Sequence, residues 1–310
     1  RKVESETDLL LQLPVARTEA RSAFNDDSVY VEKCIEAPRH VEVQILADTH
    51  GNVIHLGTRD CSIQRRHQKL LEIAPADLPK DVLERMYEAA IAAAKGSNYV
   101  NAGTVEFLVD SKTNEFWFME VNTRLQVEHT VTEELTGVDI VRKQILIAQG
   151  EALDIPAERV HMLGKAVQVR INAEDPKNQF MPEGGKTVEV YHSPGGPGIR
   201  LDGLVYQGYK IPTEYDSLMV KLTCRGYDWS ETIDRLKRAL LGFNIVGPKT
   251  TIPFYLAICD EPDFRAGRFD TGYIETHPDL FGYPETEREV ARLAKLIAEI
   301  HVKKINPYAY

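Results

Sequence analysis

Glu120-Val121-Asn122-Thr123-Arg124-Leu125-Gln126-Val127-Glu128-His129 carries a charged or amide side chain at every second position from Glu120 to Glu128. In an extended chain successive side chains point to opposite faces, so Glu120, Asn122, Arg124, Gln126 and Glu128 are expected to line one side. Val121, Leu125 and Val127 then take the other, with Thr123 between them. A solvated edge strand carries the same pattern, and the flanking residues separate the two readings.

Just upstream, Thr104–Val109 and Phe116–Val121 read as two strands joined by the turn-rich Ser111-Lys112-Thr113-Asn114. A turn centred near Thr113 makes Glu106 and Glu120 directly opposed neighbours, their Cβ atoms roughly 5 Å apart. Thr104, Leu108, Phe118 and Asn122 are expected on their face. Val105, Phe107, Val109, Trp117, Met119 and Val121 are expected on a packed, apolar one. Opposed like charges repel, and three remedies exist: a protonated carboxyl, a nearby arginine such as Arg124, or a divalent cation. Two carboxylates with the amide of Asn122 alongside suit Mg²⁺, which binds few carboxylates and leaves room for substrate phosphates.

A second cluster lies at Arg59–Lys69 (RDCSIQRRHQK), where four cations face one acid in a chain whose formal net charge is −10. Gln64, Arg65, Arg66, His67 and Lys69 supply cations and donors that can hold phosphoryl oxygens and neutralise charge developing in their transfer. Metal-type acids and a basic phosphate-type loop in one chain make a nucleotide-site constellation. No GxxxxGK[ST] occurs, so it is not a P-loop.

The bulk numbers set outer bounds. A 310-residue chain with 43% hydrophobic and 27% charged residues has ordinary globular composition, enough for one large domain or two unequal ones. The acidic balance argues against a general nucleic-acid binder. No apolar run approaches membrane-spanning length. Cys34, Cys61, Cys224 and Cys259 are scattered without metal-type spacing and read as reduced thiols of a cytoplasmic protein.

Apolar periodicity predicts helices over Ser5–Ala23, from Pro79 to Gly96, Ser230–Leu241, Thr251–Ile258 and Glu285–Lys303. Thr130 and Glu133 have the spacing of a capping box opening a helical region that runs through Val138–Gln149 to Gly150. Strands are expected at Val29–Val31, His40–Ala47, Val53–Gly57, Ala166–Asn172, Thr187–Tyr191 and Leu218–Cys224. The mixture predicts an α+β fold.

RRHQK (Arg65–Lys69), GTVEF (Gly103–Phe107), FMEVNTRLQVEH (Phe118–His129) and RINAEDP (Arg170–Pro176) resemble, in order and approximate spacing, the signature blocks of biotin carboxylase, an ATP-grasp enzyme. VYVEK (Val29–Lys33), PRHVEVQ (Pro38–Gln44) and YDSLMVKL (Tyr215–Leu222) extend the match to near residue 282. The E-x-N-x-[KR] core is shared with carbamoyl-phosphate synthetases; RRHQK and the QVEH ending are more specific.

The resemblance implies an ATP-grasp fold, C-terminal part, divided into the second half of the lid domain (1–34), the catalytic and C-terminal biotin carboxylase domain (35–282) and a C-terminal helix and tail (283–310). It implies a reaction in which ATP and bicarbonate give carboxyphosphate and the carboxyl group passes to biotin on a carrier protein. Glu106, Glu120 and Asn122 correspond to the group at the metal, Mg²⁺ or Mn²⁺. Lys69 and His67 resemble phosphate-side groups, Gln64 and His40 nucleotide contacts. Glu32, Lys33 and Ile35 match the adenine-binding hinge. Arg124, Gln126 and Val127 are similar to the bicarbonate-binding group, Glu128 to the base that deprotonates bicarbonate, and Arg170 to the residue stabilising the biotin enolate. An arginine fork suits an oxyanion, and bicarbonate needs a base to become a nucleophile. Without the resemblance, Glu128 paired with Arg124, Arg170 paired with Glu174 or Asp175, and surface histidines at 40 and 67 remain open.

The same resemblance places the family's glycine-rich phosphate loop immediately before Arg1, so this stretch by itself is expected to be inactive or nearly so. It implies a biotin carboxyl carrier and a carboxyltransferase as partners and a homodimer, with Arg200 and Asp216 at the interface. The family acts as part of pyruvate, acetyl-CoA or propionyl-CoA carboxylase, and DTGYIETHPDLF (Asp270–Phe281) favours the pyruvate or 2-oxoacid type over acetyl-CoA carboxylase. Another ATP-grasp ligase, such as a carbamoyl-phosphate synthetase half, and a nucleotide-binding subunit without turnover are the alternatives.

Overall fold

The computed structural model describes residues 1–156 and 160–283. Among them, eight strands form one sheet: β1 (Pro38–Ala47), β2 (Val53–Asp60), β3 (Leu71–Ala74), β4 (Asn101–Asp110), β5 (Phe116–Asn122), β6 (Lys165–Asn172), β7 (Ile199–Gly203) and β8 (Leu218–Gly226). Their order is β7-β8-β6-β3-β2-β1-β4-β5, and every neighbouring pair is antiparallel. The 48–52 turn forms as expected: Gly51 takes φ +89°, and the Asp48 carboxylate accepts from the N–H groups of His50 and Asn52.

Strand alternation divides the sheet into an apolar and a polar face. Val41, Val43, Ile45, Val105, Phe107 and Val109 pack against helix α2 (Lys80–Gly96), which buries Val82, Met86, Ala90 and Ala94. Val167, Val169, Ile171, Val220 and Leu222 join the second core beneath α5 (Trp229–Gly242) and α6 (Ile252–Asp260). The alternate residues His40, Glu42, Gln44, Thr104, Glu106, Glu72, Gln168 and Arg170 therefore fall on the opposite side. No helix among the described residues is long and apolar enough to cross a membrane.

Helix α1 (Glu6–Phe24) is capped by Ser5, whose hydroxyl accepts from the Asp8 N–H, and it buries no side chain. Residues 29–31 form no strand; Tyr30 is 83% exposed, with no ladder to join. The predicted strand at Thr187–Tyr191 is instead Val190–His192, paired with Asn244–Val246. The helix expected at Glu285–Lys303 lies outside the described residues.

Three further expectations are corrected. The β4–β5 hairpin pairs Glu106 with Glu120, but a bulge follows, so that Phe107 faces Phe118 and Leu108 faces Trp117. The side-chain period of a strand is two, and one extra residue moves everything beyond it to the other face. Phe118 therefore joins Phe107, their rings edge-on at 6.4 Å, while Trp117 passes under the Lys33 ammonium, 4.4 Å from the ring centre.

The expected helical region from Thr130 is two helices, α3 (His129–Thr136) and α4 (Ile140–Ala148), split by Gly137 at φ +69°. There is no capping box: Thr130 lies inside α3, and the Glu133 carboxylate accepts instead from the N–H of Ile140 and from Arg200. The extended reading of 120–129 also fails after Asn122. The chain leaves the sheet there and turns into α3.

Candidate active site

Four strands contribute one charged residue each to a line across the polar face: Arg59 opposes Glu42, Glu42 opposes Glu106, and Glu106 opposes Glu120. Three adjacent acids would repel one another, and the structure answers at each step with a donor. Arg59, completely buried, spends all five guanidinium N–H groups. Nε donates to Glu42 Oε1 (2.5 Å), Nη1 to Gln44 Oε1 (2.8 Å) and Thr132 Oγ1 (3.0 Å), and Nη2 to Gln126 Oε1 (3.0 Å) and Thr104 Oγ1 (3.2 Å). Asn122 Nδ2 donates to Glu106 Oε1 and to Glu120 Oε1, 3.0 Å from each.

Lys69 sits above the row at the end of a tight hairpin, Gln64–Arg65 paired with Gln68–Lys69. Arg66 and His67 turn its tip at φ +48° and +63°. The Lys69 ammonium has three protons and meets three carboxylates: Glu42 Oε2 at 2.6 Å, Glu106 Oε1 at 2.8 Å and Glu128 Oε1 at 2.8 Å. Burial alone would lower its pKa; the carboxylates of Glu42, Glu128 and Glu106 outweigh that and raise it, so Lys69 stays cationic.

The other end of Glu128 is also held. Arg170 Nη2 lies 3.1 Å from Glu128 Oε2, while Arg170 Nε donates to Glu72 Oε1 at 2.9 Å. Glu72 is fully buried, and burial raises its pKa; Arg170 opposes the rise and does not cancel it. Glu106 goes the opposite way. Burial would raise it, but the His40 hydrogen bond (2.8 Å to Oε2) and Lys69 hold it well below the ordinary carboxylate range. Glu42 is likewise held low by Arg59 and Lys69 against its burial. A carboxylate with a cation at each oxygen, beside two further carboxylates and an amide, can position a small oxyanion and take a proton from it.

The first half of the chain, residues 1–156, matches the family model described as carbamoyl-phosphate synthase L chain, ATP binding domain, and residues 168–276 match the biotin carboxylase C-terminal domain. A biotin carboxylase of Nostoc sp. is 50% identical over 276 residues, 89% of this chain and 61% of that protein. A pyruvate carboxylase of Bacillus subtilis is 46% identical over 310 residues, 97% of this chain and 27% of that protein. This chain belongs to the biotin carboxylase family. The biotin carboxylase domain of a thermophilic 2-oxoglutarate carboxylase, solved with bicarbonate, superposes with TM-score 0.87 at 47% identity, covering 92% of this chain and 64% of that one. The ATP-grasp biotin carboxylase fold expected from the motif blocks is thus present. The chain spans about a quarter of the length of the pyruvate carboxylases and about three fifths of the biotin carboxylases it matches.

Within this biotin carboxylase fold, the predicted residues His40, Lys69, Glu106, Asn122, Gln126, Glu128 and Arg170 form one hydrogen-bonded cluster, and exposed Glu120 joins it through Asn122. Gln126 donates from Nε2 to Glu106 Oε1 at 2.8 Å, and the Val127 carbonyl accepts from Lys221 at 3.1 Å. Gln64 is half-buried in the hairpin and His67 exposed at its tip. Arg65 stacks on Phe180 at 4.6 Å and donates to the Gln179 carbonyl.

Other predicted residues stand apart. Arg124 is exposed and reaches the Leu125 carbonyl rather than the acids, so it is not what compensates Glu106 and Glu120. Glu32 and Lys33 are exposed and Ile35 half-buried in the segment before β1, with the Lys33 ammonium over the Trp117 ring. Arg170 pairs with neither Glu174 nor Asp175. Asn172 and Ser217 donate to Glu174, and Lys249 donates to Asp175. Arg200 is tied within the chain to Glu133 and Asp202, whereas Asp216 is exposed.

Glu42, Arg59 and Glu72 were missed as site residues. Glu42 carried a signal, since His40, Glu42 and Gln44 alternate with Val41, Val43 and Ile45. Glu72 lies within the apolar run Leu70–Ala74 and Arg59 at the start of the basic run Arg59–Lys69, so neither stands out by pattern.

The residues fit a hard divalent cation. Two carboxylates and an amide supply oxygen donors, and rotating the Asn122 amide about its terminal bond presents Oδ1 where Nδ2 now bridges the acids.

Proposed function

We propose that this chain is the catalytic part of an enzyme that uses ATP to carboxylate biotin on a carrier protein, with bicarbonate as carboxyl donor and carboxyphosphate as intermediate. The observation that carries this reading is Glu128 held between Lys69 and Arg170, beside the acids Glu106 and Glu120. Mg²⁺ or Mn²⁺, held by Glu106, Glu120 and Asn122, supplies charge neutralisation at the phosphates of ATP. Lys69, His67, Gln64 and His40 orient the nucleotide, and Glu32, Lys33 and Ile35 bind its base.

Glu128 removes the bicarbonate proton, and Arg124, Gln126 and Val127 hold the anion. Lys69 and Arg170, already bonded to Glu128, lie where a bicarbonate oxyanion needs donors, so base and anion clamp share their partners. Arg170 then steadies the developing negative charge on biotin. Residues 1–34 act as part of the lid and 35–282 as the catalytic body. The acceptor of the carboxyl group belongs to the pyruvate or 2-oxoacid type, in a cytoplasmic homodimer served by a carrier and a carboxyltransferase.

A carbamoyl-phosphate synthetase half is the competing reading, favoured by the family model over residues 1–156. ATP cleavage in the protein at its full natural length separates the two. We expect ATP cleavage that requires bicarbonate and is stimulated by free biotin. Ammonia- or glutamine-dependent carbamoyl phosphate, with no response to biotin, overturns the assignment.

A further inference from the structure

Lys221 stands on β8 between two charged neighbours in the ladder, opposite Asp202 of β7 and Arg170 of β6. A lysine withdrawn from water ordinarily pairs with a carboxylate, and Asp202 is its direct cross-strand neighbour. Asp202 instead accepts from Arg200, at 2.7 Å and 3.0 Å. Half-buried Lys221 makes no ion pair among the described residues; its ammonium donates to the Val127 carbonyl at 3.1 Å.

Val127 and Glu128 are the central residues of a turn closed by the His129 N–H on the Gln126 carbonyl (3.3 Å). Glu128, at φ −80° and ψ 4°, has the dihedrals of the third residue of a type I turn. The acceptors of this turn are held. The Gln126 carbonyl also takes His129 Nδ1 at 2.8 Å, Lys221 takes the Val127 carbonyl, and Lys69 and Arg170 take the Glu128 carboxylate. Its donors are not. The N–H groups of Val127 and Glu128 meet no acceptor among the described residues, although Glu128 is only 2% exposed. A buried backbone donor without a partner is costly, so the turn is suited to receive an acceptor from a bound anion.

We propose that Lys221 is a positioning residue for the bicarbonate-binding turn, an inference that rests on the anion site assigned above to Arg124, Gln126 and Val127. The peptide between Val127 and Glu128 is trans, so holding its carbonyl on Lys221 points the Glu128 N–H the opposite way. The lysine thereby sets the direction of a donor without touching the anion. It also ties the turn to the strand beside Arg170, so that the base Glu128, the backbone donors and Arg170 keep one spacing. Without the ammonium, Val127 loses its hold on β8, and a small displacement of a positioned group is costly.

The test uses the protein at its full natural length. In Lys221→Met the KM for bicarbonate should rise about 10–100-fold while Mg-ATP affinity stays unchanged. Lys221→Arg, which can still donate to the Val127 carbonyl, should recover most of the loss. Hydrogen exchange at the His129 amide, which closes the turn, should quicken in Lys221→Met while exchange in β1 and β4 stays the same. If the methionine variant does not fold, Lys221→Gln, whose shorter side chain falls back from the carbonyl, takes its place with the same expected outcome. Wild type without bicarbonate-dependent ATP cleavage would overturn the functional reading instead, and exchange at His129 would then decide the role of Lys221. A bicarbonate KM within about twofold of wild type, an equal loss of Mg-ATP affinity, or unchanged exchange at His129 each overturns the proposal.

Discussion

Lys69 Nζ and Glu128 Oε1 lie 2.8 Å apart, and the same ammonium also holds Glu42 and Glu106. One lysine thus ties the proposed base to the proposed metal acids. A base that shares its cation with the substrate can be removed without dismantling the nucleotide side, because Glu42 and Glu106 still hold Lys69. Glu128→Gln is therefore expected to reduce bicarbonate-dependent ATP cleavage by about 10²–10⁴-fold while leaving Mg-ATP affinity within error. Steady-state kinetics with calorimetric nucleotide binding measure both, and near-normal turnover would sink the base assignment.

Glu72 touches no proposed substrate position; it grips Arg170 from behind at 2.9 Å. It is a positioning residue. In Glu72→Gln the arginine keeps its charge and its contact with Glu128 but loses a charge-assisted anchor. A small displacement of a positioned group is costly, so kcat for biotin carboxylation should fall about tenfold to a hundredfold. Biotin-independent ATP cleavage should change much less. Equal losses in both reactions would show that Glu72 acts on the nucleotide side instead.

Arg59 is the charge the fold can least do without. Arg59→Met leaves Glu42 buried with one cation instead of two and strands the acceptors of Gln44, Gln126, Thr104 and Thr132. Removing one partner of a buried ion pair costs about 3–5 kcal/mol, read here as a fall in the urea midpoint at unchanged m. Arg59→Lys should recover only part of it, since an ammonium cannot reproduce five donors in a planar fork. A loss below about 1 kcal/mol for the methionine variant would contradict the burial argument.

Asp48 gives the pH prediction. Burial would raise its pKa, but the Asn52 side chain and the N–H groups of Leu153, Asn52 and His50 bring it from 3.8 down to about 2. A carboxyl lowered in the folded state stabilises above its unfolded value, and that stability is lost as pH falls through the folded value. Wild type should therefore be more stable than Asp48→Asn at neutral pH, with a constant gap that closes between about pH 4 and pH 2. Urea titrations at several pH values measure it. A gap unchanged across that range would mean the four hydrogen bonds do not depend on the charge.

Local pattern was legible wherever a single element decides the outcome. Glu106 and Glu120 could be paired because a short hairpin leaves few registers. The bulge after that pair could not be read, since inserting one residue is a matter of how Phe107, Phe116 and α2 pack. Alternation keeps Arg124 on the face of Glu120 and Asn122 only if the strand continues past Asn122. In fact the chain leaves the sheet there, and Gln126 and Glu128 reach the cluster from a turn.

By itself the sequence determined which residue types alternate on β1 and β4, and hence that one face of those strands is polar and the other is core. The signature blocks, unchanged in order, determined the family. Only the tertiary structure decided that Arg59, Glu42 and Glu72 belong to the site and that Arg170 answers Glu128. These pairs lie 17 to 98 residues apart in the chain. Strand order across the sheet brings them together, and a buried charge declares its partner only when the fold has removed the water that would otherwise solvate it.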